Sequence, residues 1–252
     1  MKNKTNDIVT YGQIKEPEQA NKMLEYLKNC PIPDEELMAN IGLFLTPQTL
    51  SRVLLQNFLY SKIREIQGVV MELGCRWGQN MALYSALRGI YEPYNRLRKI
   101  VGFDTFEGFI NLSEKDGKNG AIAEKNYSVT KNYDEYLHGI MNSLEGESPL
   151  ANIKKYEIVK GDAGVELEKY LERNPETIVA LAYFDMDLYE PTAKCLNLLK
   201  SRLTRGSIVA FDELNEHAFP GETIALAEVF GLSKYSIQRF PFNSRASYIV
   251  IE

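Results

Sequence analysis

The apolar run in LAYFDMDLYEPT (residues 181–192) ends in two aspartates, Asp185 and Asp187, and a later run, IVAFDE, ends in Asp212 and Glu213. Carboxylates at the ends of buried segments are expensive to place for packing alone. If the two runs are adjacent parallel strands, their ends lie about 5 Å apart. Acids that close repel one another and raise one another's pKa. A divalent cation removes the conflict, and clustered oxygen ligands without His or Cys suit Mg²⁺ or Mn²⁺. His138 and His217 are scattered, which argues against zinc. The plainer alternative, surface acids paired to lysines, is weakened by the apolar run before each pair.

Three further segment ends carry acids or glycines. In MELGCRWG, Gly74 and Gly78 leave a strand-like run and open a helical one. Glycines there let backbone approach a ligand and present amide donors at a helix N-terminus. The absence of G-x-G-x-x-G lowers the odds of a dinucleotide. In GFDTFEGF, Asp104 ends the next run, where an acid accepts from ribose hydroxyls in Rossmann-like folds; it could also cap the following turn. In VKGDAGVEL, Asp162 could accept from an adenine amino group or serve as the N-cap of the helix that follows.

These ends need a scaffold, and the rest of the chain supplies one. Short apolar runs at 69–73, 99–104, 156–162, 178–185 and 207–213 alternate with helical patterns such as QNMALYSALRGI, DEYLHGIMNSL, VELEKYLER and AKCLNLLKSRL. That alternation predicts an α/β fold with a parallel sheet covered on both faces. The last two strand-like runs, 234–240 and 246–252, are joined only by PFNSR, too short for a crossover, and so predict an antiparallel hairpin. Residues 43–66 show helical spacing, with Thr46 as N-cap and Pro47 at the first helical position. The expected division is a helical cap over 1–66 and a main domain over 67–252.

The 252 residues carry a formal net charge of −5, with 44% hydrophobic and 25% charged residues, which points away from nucleic acid or an anionic membrane as partner. No apolar stretch approaches the roughly 20 residues that span a bilayer. MKNKTNDIVTYGQ has no apolar core of a secretory signal, and Cys30, Cys75 and Cys195 are sparse and unpaired, so a cytoplasmic location is expected. Cys75 and Cys195 read as packed small hydrophobes.

The order E-x-G-x-x-x-G, FDTFEGF, D-x-D-x-Y-E-x-T and a later acidic pair resembles the macrocin O-methyltransferase family over roughly residues 68–225, and FPGETIALAEVF (219–230) is similar to the family's following segment. The resemblance implies a Rossmann-like class I fold dependent on S-adenosylmethionine (SAM) and a divalent cation, Mg²⁺ or Mn²⁺. It implies that Glu72, Gly74 and Gly78 line the SAM pocket, that Asp104 holds the ribose, and that Asp162 with Ala163 takes the adenine side. Asp185, Asp212 and Glu213 would bind the cation. The resemblance also implies that Asp185 and Asp187 would form the catalytic pair, with Asp187 as general base. Two departures stand: Arg76-Trp77-Gly78 where the family often has Trp-Arg-Gly, and Glu213 where it has a second Asp. The implied substrate is a sugar hydroxyl, nucleotide-linked, on a deoxyhexose or heptose for a bacterial surface glycan. A glycosylated natural product or small phenol is the alternative, and a non-catalytic SAM- or sugar-binding protein a rival class. A homo-oligomer is expected.

Overall fold

The fold is described from a computed structural model, covering residues 16–118 and 122–252. The expected cap therefore lies partly outside the described residues, over 1–15. Its described part comprises α1 (Glu16–Lys28), α2 (Asp34–Leu37) and a 3₁₀ segment (Met38–Phe44), followed by α3 (Pro47–Lys62). Thr46 caps α3 as its sequence suggests: the Thr49 amide donates to the Thr46 hydroxyl at 3.2 Å, and Pro47 takes the first helical position.

Apolar runs too short for helices and bounded by glycine and acid become strands. They are β1 (Val69–Leu73), β2 (Ile100–Asp104), β3 (Tyr156–Lys160), β4 (Val179–Phe184) and β5 (Leu203–Phe211), followed by β6 (Gln238–Arg239) and β7 (Ser247–Val250). The intervening helices are α4 (Gln79–Tyr91), α5 (Tyr133–Gly146), α6 (Ala163–Arg173), α7 (Tyr189–Leu199) and α8 (Gly221–Val229). One sheet results, in the order β3-β2-β1-β4-β5-β7-β6, with β1 to β5 parallel and β7 antiparallel to both β5 and β6. This is the expected α/β sheet ending in an antiparallel hairpin.

Strand periodicity sorts the core into two layers. Met71, Leu73, Phe103, Ala182, Phe184 and Phe211 face α6, α7 and α8. Val70, Ile100, Leu181, Tyr183, Ala210 and Tyr248 face α3, α4 and α5. Leu55, Leu59 and Tyr60 of α3 belong to that second core, whereas α2 and the 3₁₀ segment bury no residue.

Two boundaries differ from expectation. The helix expected over 193–203 runs from Tyr189 to Leu199, and Leu203 already pairs with Val179 at the start of β5. After Leu203, β5 continues with the exposed polar residues Thr204 and Arg205, so no apolar run marks its start. The hairpin's first strand shrinks to Gln238–Arg239, an exposed edge pair.

Candidate active site

β1 and β4 are neighbours although β2 and β3 come between them in sequence. The gap between their carboxyl ends is the switch point at which open α/β sheets bind ligands. A pocket lies there, and every site residue expected from the sequence except Gly78 lines it.

Its first wall is the glycine loop. Gly74 has φ +90°, and a side chain there would collide with the Asp185 carbonyl, so glycine is required on both counts. Gly78, at φ +70°, is the residue before α4, and a Cβ there would run into Leu137. Asp104 braces this loop: its two oxygens accept from the backbone amides of Arg76 and Phe106, each at 2.6 Å. It therefore caps the following turn and lines the pocket as well. Burial raises its pKa despite those donors. Glu72 is fully buried; Asn80 donates to one oxygen at 2.8 Å and the other has no partner. Burial pushes Glu72 up to about 8. Asp162 caps α6, accepting from the Val165 amide at 3.0 Å, with Ala163 buried beside it on the pocket wall.

The second wall carries the acids. The Asp185 amide continues the sheet ladder to the Leu73 carbonyl, and the Asp212 amide does the same to Phe184. β4 itself ends at Phe184, so the period-two alternation that would put Asp185 and Asp187 on one face stops there. Asp187 instead sits at φ +63°, inside a tight turn closed by the Leu188 amide donating to the Met186 carbonyl at 2.7 Å. A left-handed conformation at a non-glycine residue costs on the order of 1–3 kcal/mol and persists only where surroundings enforce it. Asp187, Asp212 and Glu213 are all buried. Burial, followed by the charges of Asp212 and Asp187, holds the Asp185 pKa well above the carboxylate range. Burial and Asp212 push Asp187 up to about 7, against the pull of Arg245 and Arg76.

Among the described residues, no three Asp, Glu, His or Cys side chains are gathered closely enough to hold a metal ion as they stand. Arg245 instead pairs with Glu213, and Arg52 lies 4.0 Å from Asp212. The donor set itself suits a hard dication, being all oxygen and mutually repelling. One oxygen of Glu213 is also buried without any partner.

Residues not singled out in the sequence complete the site. The Tyr183 hydroxyl donates to Asp212 at 2.8 Å, orienting that carboxylate. Two buried acids grip the turn that carries Asp187. Glu222, at the start of α8, accepts from the Met186 amide at 3.3 Å, and Asp116 accepts from the Tyr189 amide at 2.6 Å. The Gly221 backbone lies so close to this turn that a Cβ would strike the Asp187 carbonyl. The GETIAL segment contained this hint; Asp116, on a polar loop 71 residues before Asp187, offered none.

A Rossmann-like sheet with an antiparallel hairpin, a glycine loop after β1 and an acid after β2 defines a class I SAM-dependent methyltransferase. Neither a family model nor a curated protein matches the chain. Two solved structures do so over nearly their whole length. One is the calicheamicin methyltransferase CalS11, 36% identical, with a TM-score of 0.92 and coverage of 99% of this chain and 98% of that one. The other is apo CalS11, described as a TDP-rhamnose 3′-O-methyltransferase, 37% identical, with a TM-score of 0.85 and 96% of each chain covered. The O-methyltransferase NovP, 16% identical, shares the fold with a TM-score of 0.57 over 80% of this chain and 79% of that one. The chain belongs to the macrocin O-methyltransferase family of sugar O-methyltransferases and is a SAM-dependent O-methyltransferase. No helix among the described residues is long and apolar enough to cross a membrane.

Proposed function

We propose that this enzyme moves the SAM methyl group onto a hydroxyl of a nucleotide-linked deoxyhexose, with Mg²⁺ or Mn²⁺ held by Asp185, Asp212 and Glu213. Asp187 is the general base. The observation that carries the proposal is the enforced turn at Asp187, which aims a buried carboxylate into a pocket shared with the glycine loop and the other acids. The likeness to CalS11, named for TDP-rhamnose, supports a 6-deoxyhexose over a heptose. The calicheamicin context supports a natural-product sugar over a surface glycan.

A bound dication would lower the pKa of a coordinated sugar hydroxyl, and the sulfonium of SAM would offer an electrophilic methyl. The chain's own residues do the rest. Asp187 takes the hydroxyl proton, and its place in the pocket beside the other acids suits that work. Asp116 and Glu222 fix the turn, so the base is oriented before substrate arrives. Tyr183 keeps one oxygen of Asp212 occupied and its carboxylate plane set. On the cofactor side, Gly74 would admit the methionine portion past Glu72, Asp104 would take the ribose hydroxyls, and Asp162 with Ala163 would border the adenine, while Gly78 shapes the turn into α4 from outside the pocket. The helices before residue 67 act as the cap, of which α1 to the 3₁₀ segment is the part free of the core.

The same proposal has the enzyme working in the cytoplasm, supported by three free cysteines, and as a homo-oligomer, supported by exposed apolar side chains such as Tyr26, Met38 and Leu43. The test is methyl transfer from SAM across TDP-linked 6-deoxyhexoses, nucleotide-linked heptoses and catechol. Turnover confined to the deoxyhexoses is expected; turnover of catechol alone would overturn the sugar assignment.

A further inference from the structure

In the chemistry above, Arg52 and Arg245 act only through their charge on the acids and have no ligand of their own. Both line the pocket, yet their side chains are 39% and 38% exposed, against 12% and 7% for the carboxylates of Asp212 and Glu213 they face. The acids make the floor and the two arginines make the mouth. They come from distant segments, Arg52 from the second turn of α3 and Arg245 from the loop before β7. Contacts beside them join those segments into one wall. The Ser51 hydroxyl donates to the Phe242 carbonyl at 2.7 Å, and Phe58 packs against Phe240 and Tyr248 with ring centroids 5.2 and 5.5 Å apart.

Both guanidinium groups have donors to spare. Arg245 pairs with Glu213 but leaves its buried Nε without a hydrogen-bond partner. Arg52 lies 4.0 Å from Asp212, beyond hydrogen-bond distance. A guanidinium presents its N–H groups as a rigid fork matched to phosphate oxygens. The remaining pocket arginine, Arg76, also has an unpartnered buried Nε, but its guanidinium lies over the rings of Tyr127 and Trp77 at 4.9 and 5.7 Å, on the glycine loop and away from the wall formed by α3 and the loop before β7. A sugar whose hydroxyl reaches the acid floor points its anomeric substituent outward. A diphosphate there carries two negative charges, which the floor repels and the mouth attracts.

We infer that Arg52 and Arg245 form the subsite for the diphosphate of a nucleotide-linked sugar, one guanidinium for each phosphate. The subsite rests on the sugar methyltransferase proposal, and it makes the linked nucleotide a requirement for tight binding.

The test is calorimetric titration with thymidine diphosphate as probe, on EDTA-treated protein and again with Mg²⁺, alongside separate titrations with SAM and with Mg²⁺ alone. Arg52→Gln and Arg245→Gln should each weaken thymidine diphosphate binding at least ~10-fold, as expected for loss of a charged phosphate contact. Arg245→Lys should restore part of the loss, and KM for TDP-rhamnose should rise more than kcat falls. Unchanged thymidine diphosphate affinity in both Gln variants overturns the subsite. So does a loss that appears only together with lost Mg²⁺ affinity, because the arginines would then act through the acids. Arginine-dependent probe binding in an enzyme that methylates no nucleotide sugar would keep the subsite and sink the sugar proposal. Turnover of TDP-rhamnose with probe affinity unchanged in both variants would do the reverse.

Discussion

The two ends of one sheet bury charge in opposite ways. At the amino ends of the strands, Arg88, Arg98 and Lys155 are enclosed with Glu92 and Glu145, and each charge has its partners. Arg98 donates to Glu92 at 2.9 Å and to the carbonyls of Ile63 and Ile66 at 2.8 Å. Arg88 pairs with Glu145 and donates to the Lys155 carbonyl at 2.8 Å, and the Lys155 ammonium lies 2.9 Å from Glu145. Burial works against both glutamates, yet these donors hold their pKa values below the ordinary carboxylate range. At the carboxyl ends, Glu72, Asp185, Asp187 and Glu222 are driven upward by burial, with neighbouring acids adding to it. Arg52 and Arg245 compensate only in part. Matched buried charge fixes strands to helices; unmatched buried charge is a stability cost that makes sense only if a ligand completes it.

That contrast can be broken at several points, beginning with the largest effect. Asp187→Asn should lower kcat by about 10²–10⁴-fold, the usual weight of a general base, while calorimetry shows SAM bound as before. Near-normal turnover would remove Asp187 from the base role. Next, Glu145→Gln should cost about 3–5 kcal/mol in urea unfolding, because Arg88 and Lys155 would be left buried with a neutral partner. Asp185→Asn, at the other end, should leave metal-free stability unchanged or improved; a loss as large as that of Glu145→Gln would erase the distinction between the ends. A smaller effect is expected at the grip on the turn. Glu222→Gln should lower kcat about 10–100-fold with little change in SAM affinity, as for other groups that orient a site from behind.

The contrast also shows in the pH dependence of stability in EDTA. A carboxylate with a raised folded pKa binds protons more readily when folded, so its contribution grows as pH falls. For Glu72, at about 8, and Asp187, at about 7, this window runs down to the unfolded values near 4. Below it the sign reverses, because Glu92 and Glu145, with depressed folded values, lose their stabilisation as they protonate. Thermal unfolding in EDTA should therefore show maximum stability on the acid side of neutrality. A steady rise from pH 5 to 8 would contradict the unmatched-acid description.

Much of the pocket at the carboxyl end of the sheet was legible in the sequence because apolar runs and terminal acids share a cause: a buried parallel strand must surface at its end. Gly74, Asp104, Asp185 and Asp212 were found that way. The residues that hold these in place were not. Asp116 and Glu222 meet the Asp187 turn only through tertiary contacts, and neither sits in a periodic segment. Arg52 reads as one more polar position on α3, and its neighbour Arg245 is 193 positions away. Asp187 is placed not by strand alternation but by the left-handed turn that follows the end of β4 at Phe184. Asp162 satisfied the alternative expectation as the N-cap of α6, while also lining the pocket.

The most direct measurement is the rate of methyl transfer from SAM to TDP-rhamnose before EDTA treatment, after it, and after Mg²⁺ is restored. The account predicts that activity is lost with EDTA and returns with Mg²⁺, and that Asp185→Asn does not recover. Full activity in EDTA would contradict it.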